Sequence, residues 1–127
     1  DSTANSKDRR LITNEIEVKN FLTNNGFEAV SLANLNFADQ VKIFNNAEII
    51  IGLHGAGFAN LCYCKPGTKI IEFKSHSGEI VIRNLAISNK LIYKSISDEI
   101  SEAEPRDQFG NVNVSIDLLK KTIASLN

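Results

Sequence analysis

Apolar residues recur along this chain with two periods, and the switches between them outline its elements. Ile16, Val18, Phe21 and Leu22 fall on one stripe of a helix that opens near Asn14 and stops at Asn25-Gly26. Thr13 or Asn14 can accept a bond from its first turn, and Glu15 and Glu17 suit the positive helix end. Residues 27–32 read as a strand. Asn36 caps a second helix in which Phe37, Val41 and Phe44 recur at i, i+4 and i+7. Residues 48–53 form a β-branched run of the kind buried on both faces of a parallel sheet. Residues 58–63 are apolar and suit a helix, which Pro66-Gly67 ends before a strand over 69–73. A helix follows over 79–88, with Val81, Ile82 and Leu85 facing inward, then a strand over 91–96. Residues 98–112 are polar, hold Pro105 and Gly110, and read as a surface excursion. Ser115 caps a last helix whose Leu119, Ile123 and Leu126 share a face. This alternation predicts an α/β fold, a Rossmann-like parallel sheet of about four strands with helices on both faces. Because the pattern begins with a helix, a further strand is expected before Asp1.

The organising stretch runs over residues 46–73, where strand, glycine turn, helix, proline–glycine turn and strand follow one another. His54-Gly55-Ala56-Gly57 stands where the first of these strands should end. Glycines there let the backbone turn sharply and let a ligand approach without a Cβ in the way. The free N–H groups of the next helix favour an anion, and a diphosphate is the natural candidate. Gly52, Gly55 and Gly57 are spaced G-x-x-G-x-G, which is not the dinucleotide fingerprint G-x-G-x-x-G. No Gly-Lys-Ser/Thr is present for a phosphate loop of the Walker kind. The turn is also like the oxyanion-hole turn of some esterases, but no G-x-S-x-G elbow supplies a nucleophile.

Composition narrows the class. With 43% apolar and 23% charged residues in a chain of 127, a single globular domain over 1–127 is expected. A net charge of -1 gives no general attraction to nucleic acid or to an anionic membrane, and Lys7-Asp8-Arg9-Arg10 is the only basic cluster. Cys62 and Cys64 would point to nearly opposite sides of a helix, so no disulfide between them is expected and a reducing compartment fits. No apolar run approaches the roughly 20 residues that span a bilayer. Methionine is absent altogether, which reads as a piece of a longer chain.

Individual candidates carry two readings each. Small residues at 55–57 can serve helix–sheet packing alone, but packing does not ask for His54 at a strand tip. Ligands of open α/β sheets bind at the carboxyl ends of the strands, where His54 and Glu72 both fall. Glu72 can take hydroxyl donors or be a solvated strand end. Arg9 and Arg10 can neutralise phosphate oxygens, Arg being suited by its fork of donors, or be an ordinary solvated terminus. His76 lies in a polar loop and reads as surface. Gln40, Asn60 and Asn14 can brace loops or read a ligand. Two histidines and one Cys-Tyr-Cys do not compose a metal site.

Several blocks together resemble family-61 glycosyltransferases: Arg10-Leu11-Ile12-Thr13-Asn14-Glu15, Asn25-Gly26-Phe27-Glu28-Ala29-Val30 and Phe37-Ala38-Asp39-Gln40-Val41. The run from Ala47 through His54-Gly55-Ala56-Gly57, then Asn60-Leu61 and Pro66-Gly67-Thr68-Lys69-Ile70-Ile71-Glu72, continue the likeness in order. The group includes bacterial capsular-polysaccharide biosynthesis proteins and eukaryotic xylosyl- and N-acetylglucosaminyltransferases. The resemblance implies the C-terminal, donor-binding half of a GT-B enzyme, transferring a sugar with inversion from a nucleotide sugar to a glycan or protein acceptor. It implies that Arg10 and the turn of His54, Gly55, Ala56 and Gly57 face the diphosphate, that Glu72 faces the ribose, and that Gln40 belongs to the same site. His54 is a candidate base, and no cofactor or metal is implied. The acceptor would be held by an N-terminal half, and these residues alone are expected to be inactive. Location would be cytoplasmic in a bacterium, or the Golgi or ER lumen in a eukaryote. The alternatives are a non-catalytic α/β binding module and an oligomerisation module that pairs through an exposed sheet edge.

Overall fold

The computed structural model describes residues 12–74, 80–97 and 112–127. Arg9, Arg10, His76 and the excursion expected over 98–112 lie outside these residues, except Val112, which is buried and bridged to Ile12 rather than on the surface. Three strands, β1 (Ile49–Leu53), β2 (Lys69–Lys74) and β3 (Ile92–Ser97), form a parallel sheet in the order β1-β2-β3. Four α-helices accompany them: α1 (Glu15–Asn24), α2 (Phe37–Asn46), α3 (Val81–Ser88) and α4 (Ile116–Ser125). Two 3-10 helices, Leu32–Asn34 and Ala56–Tyr63, complete the described elements.

The fold is thus mixed α/β with a parallel sheet, but the strand expected over 27–32 does not form. Gly26 (φ +87°) ends α1, and Phe27 N–H returns to Leu22 O at 3.0 Å. Beyond that point Glu28, Ala29 and Val30 are exposed, so no apolar burial holds the segment against a neighbour. Leu32 then enters a 3-10 turn. The sheet of the described residues therefore has three strands where about four were expected from the alternation.

Side-chain alternation along β2 divides the core into two layers. Ile71 and Phe73, with Ile51, Leu53 and Ile96, pack against Val18, Phe21 and Leu22 of α1 and Leu119 and Ile123 of α4. Ile70, with Ile50 and Tyr93, packs against Phe44 of α2, Phe58 and Leu61 of the longer 3-10 helix, and Ile82 and Ala86 of α3. Helices cover both faces. Each fully buried aliphatic side chain in these layers contributes about 1.5–3 kcal/mol.

Local signals fixed several boundaries. Asn36 Oδ1 accepts from Asp39 N–H at 2.8 Å, and Ser115 Oγ from Leu118 N–H at 3.2 Å, so both helices begin where their caps stand. Asn14 does not cap α1. Its amide instead donates to Val114 O (2.7 Å) and accepts from Val114 N–H (2.9 Å), continuing the parallel bridge between Ile12 and Val112. Ile16 and Val81, both expected to face inward, are 78% and 65% exposed. Each lies in the first turn of its helix on a different side from the buried residue nearby, Val18 in α1 and Ile82 in α3.

Candidate functional site

β1 delivers its last residues to the carboxyl edge of the sheet. His54 N–H donates to Phe73 O at 2.7 Å, so His54 remains tied to β2 one residue past the strand. Gly52 lies opposite Glu72, and Glu72 lies opposite Ser95. By alternation His54, Glu72 and Tyr93 point to the same face, that of α3 and the longer 3-10 helix.

There the three side chains meet. His54 Nδ1 is hydrogen-bonded to Glu72 Oε2, and Tyr93 O–H donates to Glu72 Oε1. Glu72 is 1% exposed and the imidazole 17%. A carboxylate so far from water is tolerated only when its lone pairs are taken, and here each oxygen has a polar partner. Burial, then the hydrogen bond to Glu72 and its negative charge, push the Tyr93 phenol well above the usual tyrosine range. Tyr93 therefore keeps its proton and acts as a donor. The resemblance set Glu72 against a ribose; the structure gives both of its oxygens protein partners.

The glycine turn is open to solvent: Gly57 is exposed, and His54 and Gly55 are half-buried. None of its glycines has a φ in the left-handed region; among the described residues only Gly26, Gly67 and Lys90 do. A sharp left-handed turn is therefore not the reason for glycine here. Packing explains two of the three. A Cβ on Gly52 would stand 3.3 Å from Phe58 Cζ, and one on Gly57 would stand 3.1 Å from Leu32 Cδ1. Gly55 is extended (φ 168°), and its Cβ would meet only Leu53 O at an ordinary 3.9 Å. Neither backbone conformation nor crowding among the described residues demands glycine at position 55.

Following the turn, Phe58 N–H bonds Gly55 O at 3.2 Å and opens a 3-10 helix rather than an α-helix. Its first N–H groups have no partner within the helix. Gln40 and Asn60 hold this segment from behind. Gln40 Nε2 donates to Leu32 O (3.0 Å) and Leu35 O (3.1 Å), while Gln40 Oε1 accepts from Asn60 Nδ2 (2.9 Å). The loop ahead of α2 is thereby fastened to the helix that follows the turn.

Other chemistry is less well placed. Both cysteines are free; burial and then the neighbouring Cys62 push the Cys64 thiol up to about 11, so it is no thiolate at neutral pH. Among the described residues no group of three or more His, Cys, Asp or Glu side chains gathers to hold a metal ion. No described helix is long and apolar enough to cross a membrane. An open groove of about 670 Å³ runs along Ile12, Thr13, Asn14, Glu15, Ile16, Glu17 and Asn20. Its charged lining residues, Glu15 and Glu17, are acidic and do not suit a diphosphate.

The structure thus joins His54 to Glu72 at the strand end that leads into the turn over residues 55–57, while Gln40 reaches the helix after that turn through Asn60. Tyr93 escaped sequence reasoning. It sits in an apolar-looking strand, and only the pairing of β3 with β2 reveals that its hydroxyl reaches Glu72. Against known proteins, the profile of the family described as Glycosyltransferase 61 matches residues 4–71, more than half of the chain and inclusive of the whole turn. No curated protein matches the chain.

Proposed function

Because this chain belongs to the glycosyltransferase 61 family, we propose that its glycine turn holds the diphosphate of a nucleotide-sugar donor. The chain is then the donor-binding half of a GT-B enzyme that inverts the anomeric centre. One observation carries this reading above the others. A solvent-accessible turn at the carboxyl ends of parallel strands contains a glycine, Gly55, that neither φ nor crowding among the described residues accounts for. Close approach of a ligand to the backbone is the remaining reason for lacking a Cβ.

In this reaction an acceptor hydroxyl attacks the anomeric carbon while the bond from that carbon to the diphosphate oxygen breaks. The new glycosidic bond keeps the sugar, and the electron pair leaves with the nucleoside diphosphate. The N–H groups of residues 56 and 57 and the Arg10 guanidinium meet the charge that builds on the leaving oxygens, which is electrostatic stabilisation at a fixed site. The hydroxyl proton passes to a base. Gln40 and Asn60 serve by keeping the turn in place. The acceptor, a glycan or protein hydroxyl, is supplied by a facing half, and no metal or nucleic acid takes part.

Calorimetric titration of UDP, GDP and CMP into the folded chain tests this. One of the three should bind, and Gly55→Ala should weaken that binding by tenfold or more while leaving the melting temperature near that of the parent. A folded chain that binds none of them overturns the proposal. A second reading, an oligomerisation module, is favoured by one observation: β1 pairs only with β2 among the described residues. Light scattering across a concentration series would reveal an edge-paired dimer.

A further inference from the structure

The buried contact between Tyr93, Glu72 and His54 does more than satisfy a carboxylate. Tyr93 O–H donates to Oε1, which commits that oxygen as an acceptor. Oε2 faces Nδ1, and a hydrogen bond between these two atoms needs one proton, carried by one or the other. A carboxylic acid is ordinarily a stronger acid than an imidazolium, so that proton belongs to nitrogen. A second donor on the same carboxylate stabilises its anionic form and reinforces the assignment.

We propose that Glu72 and Tyr93 are positioning residues that keep the proton of His54 on Nδ1, so that Nε2 is the nitrogen that exchanges hydrogen bonds or protons with the ligand of the glycine turn. For the identity of that ligand the inference rests on the donor-binding reading; for the tautomer it stands on the three side chains alone. The imidazole is held at both ends of its rotation, since its own backbone N–H is fixed to Phe73 O and its Nδ1 to a buried group. Sub-ångström placement of this kind is what a ring acting on a substrate needs. Neither Glu72 nor Tyr93 need touch the ligand to control it.

The test is the tautomer itself, read from long-range proton–nitrogen spectra of the full chain labelled with 15N-histidine, His76→Gln assigning the two rings. In the parent, His54 should show a protonated Nδ1 wherever the ring is neutral. Glu72→Gln should reverse the pattern. Tyr93 claims the amide oxygen of the new side chain, which turns its NH2 toward Nδ1 and moves the ring proton to Nε2. In the double variant Glu72→Gln/Tyr93→Phe the amide is free to turn its oxygen back, and the Nδ1–H pattern should return. A parent ring protonated on Nε2, or a Glu72→Gln spectrum unchanged from the parent with the fold intact, overturns the proposal. These spectra need no nucleotide. The expected pattern in a chain that binds no nucleotide would therefore sink the donor-binding reading and leave this inference standing.

Discussion

β2 presents two faces that are equally buried and chemically unlike. On one, Ile71 and Phe73 belong to an apolar layer shared with side chains of α1 and α4. On the other, Ile70 is followed by Glu72, whose carboxylate is as deeply covered as its neighbours. A second apolar residue at 72 would satisfy packing without any need for a partner. The carboxylate instead requires Tyr93 and His54 to converge on it, and each is a donor whose own polar atom must also be housed. One face therefore holds the sheet together, and the other positions an imidazole at its rim.

The largest expected effect that separates the faces comes from the apolar one. Phe73→Ala should lower unfolding free energy by about 3–5 kcal/mol in denaturant titration, through lost burial and the cavity it leaves. Nucleotide affinity, measured where the variant is still folded, should hardly change. Gly52→Ala tests the polar side of the sheet for crowding. The added methyl presses on the Phe58 ring, so a loss of about 1–3 kcal/mol is expected. Phe58→Leu should recover part of it in the double variant, and strict additivity would show that the ring is not the obstacle.

Glu72→Gln is the sharper probe of the comparison. Its shape is kept, so stability should fall by only about 1–2 kcal/mol, whereas donor affinity should drop by about tenfold, or about 1.4 kcal/mol. Equal losses in Phe73→Ala and Glu72→Gln, in both stability and affinity, would erase the distinction between the faces. The smallest effect is alkaline. Tyr93 and Cys64, both on the Glu72 side, have folded-state values above their ordinary 10.0 and 9.0. For each, the unfolded chain releases its proton first, so stability is intact below those ordinary values and declines as pH rises past them. Thermal melts of the parent should therefore fall from about pH 9 upward, and Cys64→Ala and Tyr93→Phe should each flatten part of that fall.

How much of this was legible beforehand varied with the range of the interaction. Asn36 and Ser115 announced their helices because a cap acts across three residues. β1, β2 and β3 were visible as β-branched or apolar runs, and the placement of His54 and Glu72 at one edge followed from the parallel arrangement. Residues 27–32 misled because a strand-like composition needs a partner edge that the sequence does not name. Asn14 misled similarly, since its amide is claimed by Val114 rather than by its own helix. The burial of Glu72 was hidden because the surrounding run is apolar on both faces, so alternation could not say which side it took. Nothing local marked Tyr93 within its strand, its hydroxyl partner lying 21 positions away.

One lacing contact has a temporal consequence. Asn14 and Val114 are 100 positions apart, and Val18 shares its layer with Val112, Val114 and Leu119. During synthesis α1 emerges well ahead of Val112, Val114 and Leu119, so its layer stays incomplete until those residues have followed. The sheet and the histidine rim can assemble from residues 49–97 before that moment. Completing the α1 layer therefore waits on a contact between residues 100 positions apart, and closing so long a loop should govern the slow step of folding.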